Sequence, residues 1–398
     1  MDIITRIAYL TQIRPFIEHK IIKVLVGQRR TGKSYFLLSL QDEIKKKNSN
    51  ANIIYINKEL YSFDFIDSAK ELYNYIESNL SNNFNYIFID EIQEIPDFEK
   101  VLRDLLNREN IDVYITGSNA ALFSGELATR LTGRYIQIKI NPLSYLEFLQ
   151  FHNISNDDTS LNLYMRFGGM PFLKNLKMEE EIVTPYLRSI FDTVLLKDIV
   201  TRANIRNVEF LIMLVKYIAE NTGNIVSAKK ISDFMKNQRV NIPPNTIINY
   251  LGLLTNTFLI DKVSRRQVAG KKIFEINDKY FFEDLGLRNS LIGFRPQDIS
   301  KIIENVVYMH LIYLGYEVNV GVDAGREIDF VAQKNEKLVY VQVCYLLADE
   351  KAVEREFGNL LSIKDNYEKY LISMDKFKYS NYKGIKHLTL SEFLMNFE

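Results

Sequence analysis

The sequence predicts an α/β fold whose first part is organised around a parallel sheet. Three observations predict it. Up to about residue 155, short apolar runs of buried-strand length alternate with segments of helical spacing. The run Ile21–Val26 leads directly into Gly27-Gln28-Arg29-Arg30-Thr31-Gly32-Lys33-Ser34, and Tyr35-Phe36-Leu37-Leu38 then opens an apolar helix. The run Tyr86–Ile89 closes on two adjacent carboxylates, Asp90 and Glu91.

Residues 1–20 carry apolar Ile3, Ile4, Ile7, Leu10 and Ile13 at helical spacing, which predicts a helix interrupted at Pro15. The stretch from Gly27 to Ser34 has the G-x-x-x-x-G-K-[ST] spacing of a phosphate-binding loop, set between a strand and a helix as that loop requires. Gly27 and Gly32 let the backbone curl so that successive N–H groups point at phosphate oxygens. Gln28, Arg29, Arg30, Thr31 and Tyr35 belong to the same binding segment. Lys33 is positioned to reach the β- and γ-phosphates, and Ser34 to place a hydroxyl on Mg²⁺. The helix beginning there adds its positive dipole end. The residues therefore imply a nucleoside triphosphate with Mg²⁺.

The next strand is Asn52–Asn57, followed by a helix from Asp67 to Leu80. At the end of the third strand Asp90 can hold Mg²⁺ through water, and Glu91 can polarise an attacking water as a general base. Asp112–Asn119 reads as a strand ending in small polar residues, with Ser118 and Asn119 as candidate γ-phosphate or water sensors and Asn119 preferred because its amide both donates and accepts. Arg130 and Arg134 precede a further strand, Tyr135–Ile140. Either guanidinium could stabilise transition-state charge, in cis or from a neighbouring copy, and Arg134 is the preferred candidate. The nucleotide belongs at the carboxyl ends of these strands.

Gly-x-Arg-Arg-x-Gly-Lys-Ser, Ile-Asp-Glu-Ile-Gln, Thr-Gly-Ser-Asn, Leu-x-Gly-Arg and Asn-Pro-Leu-Ser-Tyr-x-Glu-Phe together resemble a widespread family of bacterial and archaeal AAA-type ATPases. The resemblance continues through Gly168-Gly169-Met170-Pro171, Leu196-Lys197-Asp198-Ile199 and Lys279–Leu287, so it covers nearly the whole chain. It implies ATP binding and hydrolysis to ADP and phosphate, and brings no substrate with it.

Residues 156–220 are helical by spacing and suit an AAA lid or linker after a core of residues 1–155; Arg166, Arg188, Lys197 and Arg202 are candidates there for a second nucleotide sensor. From 221 to 295 the order helix, helix, hairpin predicts a winged helix, in agreement with the family resemblance. Residues 229–272 hold nine basic residues, including Lys229, Lys230, Arg265, Arg266, Lys271 and Lys272, against two acids. That pattern fits contact with the phosphates of duplex DNA, and it fits equally a solvated protein-interaction module.

Residues 296–398 predict a small α/β unit that resembles the PD-(D/E)xK, or restriction-endonuclease-like, fold. Active members use two acids and an acid-x-lysine to hold a divalent metal and activate water. Glu304 and Asp329 match the first two acids, but the third element reads Gln342-Val343-Cys344, which lacks carboxylate and lysine. A degenerate site is the expectation.

Lys+Arg and Asp+Glu both total 50, so any nucleic-acid surface must be local. One cysteine among 398 residues excludes an internal disulfide framework, and the four histidines show no metal-ligand spacing. With no signal-peptide pattern and no apolar run of about 20 residues, a cytoplasmic location fits. Self-assembly into oligomers stays open. The readings that follow are an ATPase whose second half recognises DNA or a protein, an ATP-gated DNA-binding switch with little turnover, and a metal-dependent nuclease.

Overall fold

The computed structural model describes residues 4–120, 131, 133–201, 203, 205, 207–268, 273–323, 325–376 and 381–397. The chain divides into two compact units, Met1–Asn141 with Asn256–Phe258, and Pro142–Thr255 with Leu259–Glu398.

The first unit is built on five strands, β1 (Ile22–Val26), β2 (Asn52–Asn57), β3 (Asn85–Asp90), β4 (Ile111–Gly117) and β5 (Tyr135–Lys139). They lie in the order β2-β3-β4-β1-β5, and every neighbouring pair is parallel. Strands β1, β3 and β4 are buried along their whole length, which is why they read as continuous apolar runs. The register sets Asn57 beside Asp90 and Val26 beside both Gly117 and Lys139, so the loops after β1, β3 and β4 leave one edge of the sheet together. Helices Lys33–Lys47, Ala69–Asn79 and Phe98–Leu105 complete the α/β alternation. The amino-terminal stretch is interrupted at Pro15, as the sequence predicts, and its helix is shorter than residues 1–20. It forms a helix over Ile7–Ile13 and one tighter turn over Arg14–Phe16, where Pro15 has no N–H to continue the α ladder.

At the opposite edge of this sheet the apolar pattern hides a polar network. Lys23 and Asp112, on adjacent strands, are both fully buried and form an ion pair. Asp112 also accepts from Tyr114 Oη at 2.6 Å and from the Glu18 N–H at 2.7 Å. Burial pulls the Lys23 amine down, and Asp112 opposes that.

The second unit carries a nine-stranded sheet in the order β13-β14-β12-β11-β10-β9-β7-β8-β6. Its strands are β6 (Ile225–Val226), β7 (Ile260–Gln267), β8 (Ile273–Phe282), β9 (Glu317–Asp323), β10 (Arg326–Lys334), β11 (Lys337–Val343), β12 (Glu368–Ser373), β13 (Asn381–Tyr382) and β14 (Ile385–Thr389). Helices Ala228–Asn237 and Pro244–Asn256 lie in the chain between β6 and β7. The stretches expected as a winged helix and as a nuclease-like domain share this sheet, because β7 pairs in parallel with β9 through Arg265, Arg266 and Gln267. The hairpin is also longer than the sequence suggested, since β8 continues through Lys279-Tyr280-Phe281-Phe282. The turn at Ala269-Gly270, with Lys271 and Lys272, lies outside the described residues.

Two motifs that carried the family resemblance meet in this unit. Asp284 caps the helix Leu285–Ile292 through the Leu287 N–H and accepts the Gly169 N–H at 2.7 Å. A Cβ at Gly286 would stand 2.0 Å from the Phe167 carbonyl oxygen, so only glycine permits this approach. Arg288, fully buried, donates to the Ala219 carbonyl, Asn289 and Asp298. The Gly-Gly-x-Pro and Asp-Leu-Gly-Leu segments are thus two halves of one packing joint.

Candidate nucleotide site

Strand β1 delivers the chain to Gly27, whose φ of +146° suits glycine. A Cβ there would lie 2.3 Å from the Ile140 carbonyl oxygen. The loop closes at Gly32, with φ +92°, which caps the helix Lys33–Lys47. Arg30 also takes a left-handed conformation, φ +67°. Within the loop the Thr31 hydroxyl donates to the Gln28 carbonyl at 2.9 Å. Lys33 is buried and turned onto the loop itself, donating to the carbonyls of Gly27 at 3.0 Å and Gln28 at 2.9 Å. Both amide atoms of the Gln28 side chain are buried without a hydrogen-bond partner. Arg29 approaches Glu59 at 3.7 Å, and Tyr35 is exposed.

One support of this loop escaped the sequence. Arg6, buried just before the first helix, donates to the carbonyls of Thr31 at 3.3 Å and Asn141 at 2.8 Å. The Tyr9 hydroxyl accepts the Asn141 N–H at 3.0 Å, so the amino-terminal segment braces the loop from below. No short-range pattern marks such a long-range side-chain-to-backbone bond.

Asp90 and Glu91 emerge from β3 together. Asp90 is fully buried, and its Oδ1 accepts from the Thr116 hydroxyl. The same hydroxyl accepts the Glu91 N–H at 2.9 Å. Asp90 Oδ2 is buried with no hydrogen-bond partner. Burial pushes the Asp90 carboxyl up, while the hydroxyls of Ser34 and Thr116 draw it back. An unsatisfied carboxylate oxygen beside a serine hydroxyl is an oxygen donor set suited to a hard cation such as Mg²⁺. Tyr55, on β2, belongs to the same surroundings: burial, then Asp90, pushes its hydroxyl up to about 12.

Glu91 turns the chain in a left-handed conformation, φ +55°. Its Oε2 accepts from Gln93 Nε2 and, at 3.4 Å, from the Ser118 hydroxyl. The structure therefore brings together Gly27 to Ser34, Asp90, Glu91 and Ser118. Asn119 follows Ser118 and is half-buried. Thr116 and Gln93 were missed, although the small polar end of β4 and the Glu-Ile-Gln spacing were the signals that could have found them.

Arg134, expected to act in cis or from a neighbouring copy, lies away from this chain's own loop. β5 runs parallel to β1, with Ile22 beside Tyr135, and Ile22 donates its N–H to the Arg134 carbonyl at 3.0 Å. Arg134 is thus exposed at the amino end of the strands, whereas the phosphate loop follows their carboxyl ends, about four residues or roughly 13 Å further along. A role in cis at this chain's own γ-phosphate is excluded by the parallel topology. Arg130, and Arg202 of the middle stretch, lie outside the described residues.

In the second unit Lys229 and Lys230 are exposed on the helix Ala228–Asn237. Arg265 and Arg266 are half-buried on β7, which lies between β8 and β9 rather than forming a free wing. Arg266 donates to Gln333 at 3.3 Å. Glu304 and Asp329 do converge, together with Glu327 and Lys279. Gln342 lies beside Asp329, and Cys344 is buried in packing. Among the described residues no helix is long and apolar enough to cross a membrane, and no group of three or more His, Cys, Asp or Glu is arranged to hold a metal ion.

The five parallel strands and the loop wrapped at the end of β1 define the first unit as a P-loop nucleoside triphosphatase fold of the AAA type. Comparison with known proteins agrees: residues 19–149 match the AAA domain family, and residues 158–298 match a domain of unknown function, DUF8612. An uncharacterised protein of Haemophilus influenzae is 36% identical over 98% of this chain and 98% of its own length. A second, from Methanocaldococcus jannaschii, is 32% identical over 84% of this chain and 77% of its own. The chain belongs to this family of AAA-domain proteins. Among solved structures, a Walker-type ATPase of Pyrococcus abyssi superposes with a TM-score of 0.50 at 15% identity, over 73% of this chain and 96% of that one.

Proposed function

We propose that the chain is a Mg²⁺-dependent ATPase that hydrolyses ATP to ADP and phosphate at the Gly27–Ser34 loop. The observation that carries this reading is the joint placement of Lys33, Asp90 and Glu91 at one edge of a parallel sheet, with Asp90 Oδ2 buried and unsatisfied. Lys33 would exchange the Gly27 and Gln28 carbonyls for phosphate oxygens. Ser34 and Asp90 would hold the metal, which neutralises charge on the phosphates when bound. Glu91 would orient and deprotonate water once it leaves Gln93, with Ser118 or Asn119 as the polar sensor. Arg134 would serve an adjacent copy, if copies assemble, because its own site is out of reach.

The proposed organisation is an ATPase core over 1–155, a helical lid over 156–220, a winged-helix-like segment over 221–295 and a nuclease-like segment over 296–398. Turnover in this reading drives a conformational change that the second half transmits to DNA or a protein. Lys33→Ala is expected to abolish steady-state ATP turnover in folded protein. Turnover equal to the wild type would remove the proposal.

A second reading, an ATP-gated DNA-binding switch, is favoured by the exposed bases Lys229, Lys230, Lys236 and Arg239 along and after one helix. It predicts salt-dependent binding of duplex DNA that weakens when Lys229 and Lys230 are changed to Glu. Absence of such binding in the wild type would leave a protein partner as the target.

A further inference from the structure

The second unit contains a buried charge cluster that the nucleotide site does not use. Lys279, on β8, is almost fully buried. Its Nζ stands 2.7 Å from Glu304 Oε1, 2.7 Å from Glu327 Oε1 and 3.7 Å from Asp329 Oδ1. Glu304 comes from the helix Ile299–Tyr313, and Glu327 and Asp329 come from β10. The sequence alone left this place with two acids and no cation, because Cys344 stands where the pattern asks for lysine. The fold brings an ammonium there from a different strand.

The carboxylates are oriented from behind. Asp329 Oδ2 accepts the Val343 N–H at 2.8 Å, and Gln342 Oε1 accepts the Asp329 N–H at 3.4 Å. Gln342 Nε2 in turn donates to Glu356 Oε2 at 3.2 Å, and Arg355 pairs with the other oxygen of Glu356. On the far side a Cβ at Gly223 would stand 2.8 Å from Glu304 Oε2, so the backbone leaves room for that carboxylate. Glu327 is the partly exposed member and opens the cluster toward solvent.

Three carboxylates face one point, but they are spaced around an ammonium and not arranged to hold a metal ion. The ammonium supplies a single charge and three N–H donors where a hard divalent ion would need closer oxygen ligands. A divalent ion beside it would meet like-charge repulsion. Burial raises the Glu304 and Asp329 carboxyls, and Lys279 counters it. We propose that Lys279 is the resident cation of this cluster: its ammonium fills the position a divalent ion would take, ties β8 to β10 and to the helix Ile299–Tyr313, and keeps the cluster closed to Mg²⁺ and Mn²⁺. Metal-dependent hydrolysis at this cluster is therefore blocked from within, for a reason separate from the missing lysine at position 344. The inference does not depend on ATP turnover.

The test uses the full chain carrying Asp90→Asn, so that the carboxylate proposed to hold the nucleotide's metal is removed. Mn²⁺ is the probe, read by loss of the free-ion paramagnetic resonance signal and by melting temperature. The parent is expected to take up no Mn²⁺ at millimolar concentration. Lys279→Met is expected to gain one site with a Kd of about 10⁻³ M or tighter. Its melting temperature should rise with Mn²⁺, and adding Asp329→Asn should remove the gained site. Mn²⁺ uptake by the parent that Glu304→Gln abolishes overturns the proposal, as does a folded Lys279→Met chain that binds none. If Lys279→Met fails to fold without metal, folding in Mn²⁺ supports the proposal. If it folds in neither buffer, Lys279→Met with Glu304→Gln must recover folded protein by easing the charge imbalance, and failure to recover it counts against the proposal.

Discussion

Thr116→Val is the perturbation that most sharply separates an organised catalytic edge from an ordinary strand end. The change keeps the shape of the side chain and deletes one hydroxyl in a fully buried position. That hydroxyl donates to Asp90 Oδ1 and accepts the Glu91 N–H at 2.9 Å. A hydrogen bond to a charged group contributes about 1.5–3 kcal/mol, and a buried N–H left without a partner costs about 1–3 kcal/mol. Allowing for local relaxation, the expected loss is about 3 kcal/mol. For a unit of this size that corresponds to a fall of roughly 10 °C in its melting transition. Because Asp90 and Glu91 lose their common anchor, turnover should fall by about 100-fold, the equivalent of nearly 3 kcal/mol at the transition state. Calorimetry and a coupled phosphate-release assay on the same preparation read both quantities. A Thr116→Val protein within about 0.5 kcal/mol of wild-type stability and with unchanged turnover would refute the claim that this hydroxyl organises the site.

Three further outcomes are expected. Gly27→Ala places a methyl 2.3 Å from the Ile140 carbonyl oxygen in a left-handed conformation, so ATP affinity measured by calorimetry should drop at least about tenfold. Asp112→Ala leaves Lys23 buried without its carboxylate and should cost about 3–5 kcal/mol in urea unfolding, although neither residue is near the phosphate loop. Burial lowers the His310 imidazole to about 4, below its ordinary 6.5, so its contribution to stability is present above pH 6.5 and is lost as pH falls toward 4. Between pH 8 and pH 5 that loss is about 2 kcal/mol, and His310→Leu should flatten the unfolding free energy over this range by a similar amount.

The first unit was legible because its signals are local. A strand that runs into Gly27–Ser34 and a strand that closes on Asp90-Glu91 need only the period and the loop to be recognised, and the parallel order then places both at one edge. What the sequence could not supply were the bonds made across the fold. Arg6 reaches Thr31 and Asn141 from the amino-terminal segment, distant in sequence, and Thr116 reaches back to β3. Lys23 stands within an apolar strand, and its partner Asp112 lies on the neighbouring one. Arg134 looked suited to a γ-phosphate because distance in sequence says nothing about which end of a strand a residue occupies. In the second unit the cation that meets Glu304 and Asp329 is Lys279, from another strand, which no reading of spacing would find.

The central claim is ATP hydrolysis with Glu91 as the base, and the most direct measurement is the nucleotide retained by Glu91→Gln. Wild type and variant would be incubated with Mg²⁺ and radiolabelled ATP, and the bound nucleotide separated after many wild-type turnover times. The account predicts that the variant retains intact ATP, with turnover at least about 100-fold below wild type. Recovery of ADP from the variant at the wild-type rate would contradict it.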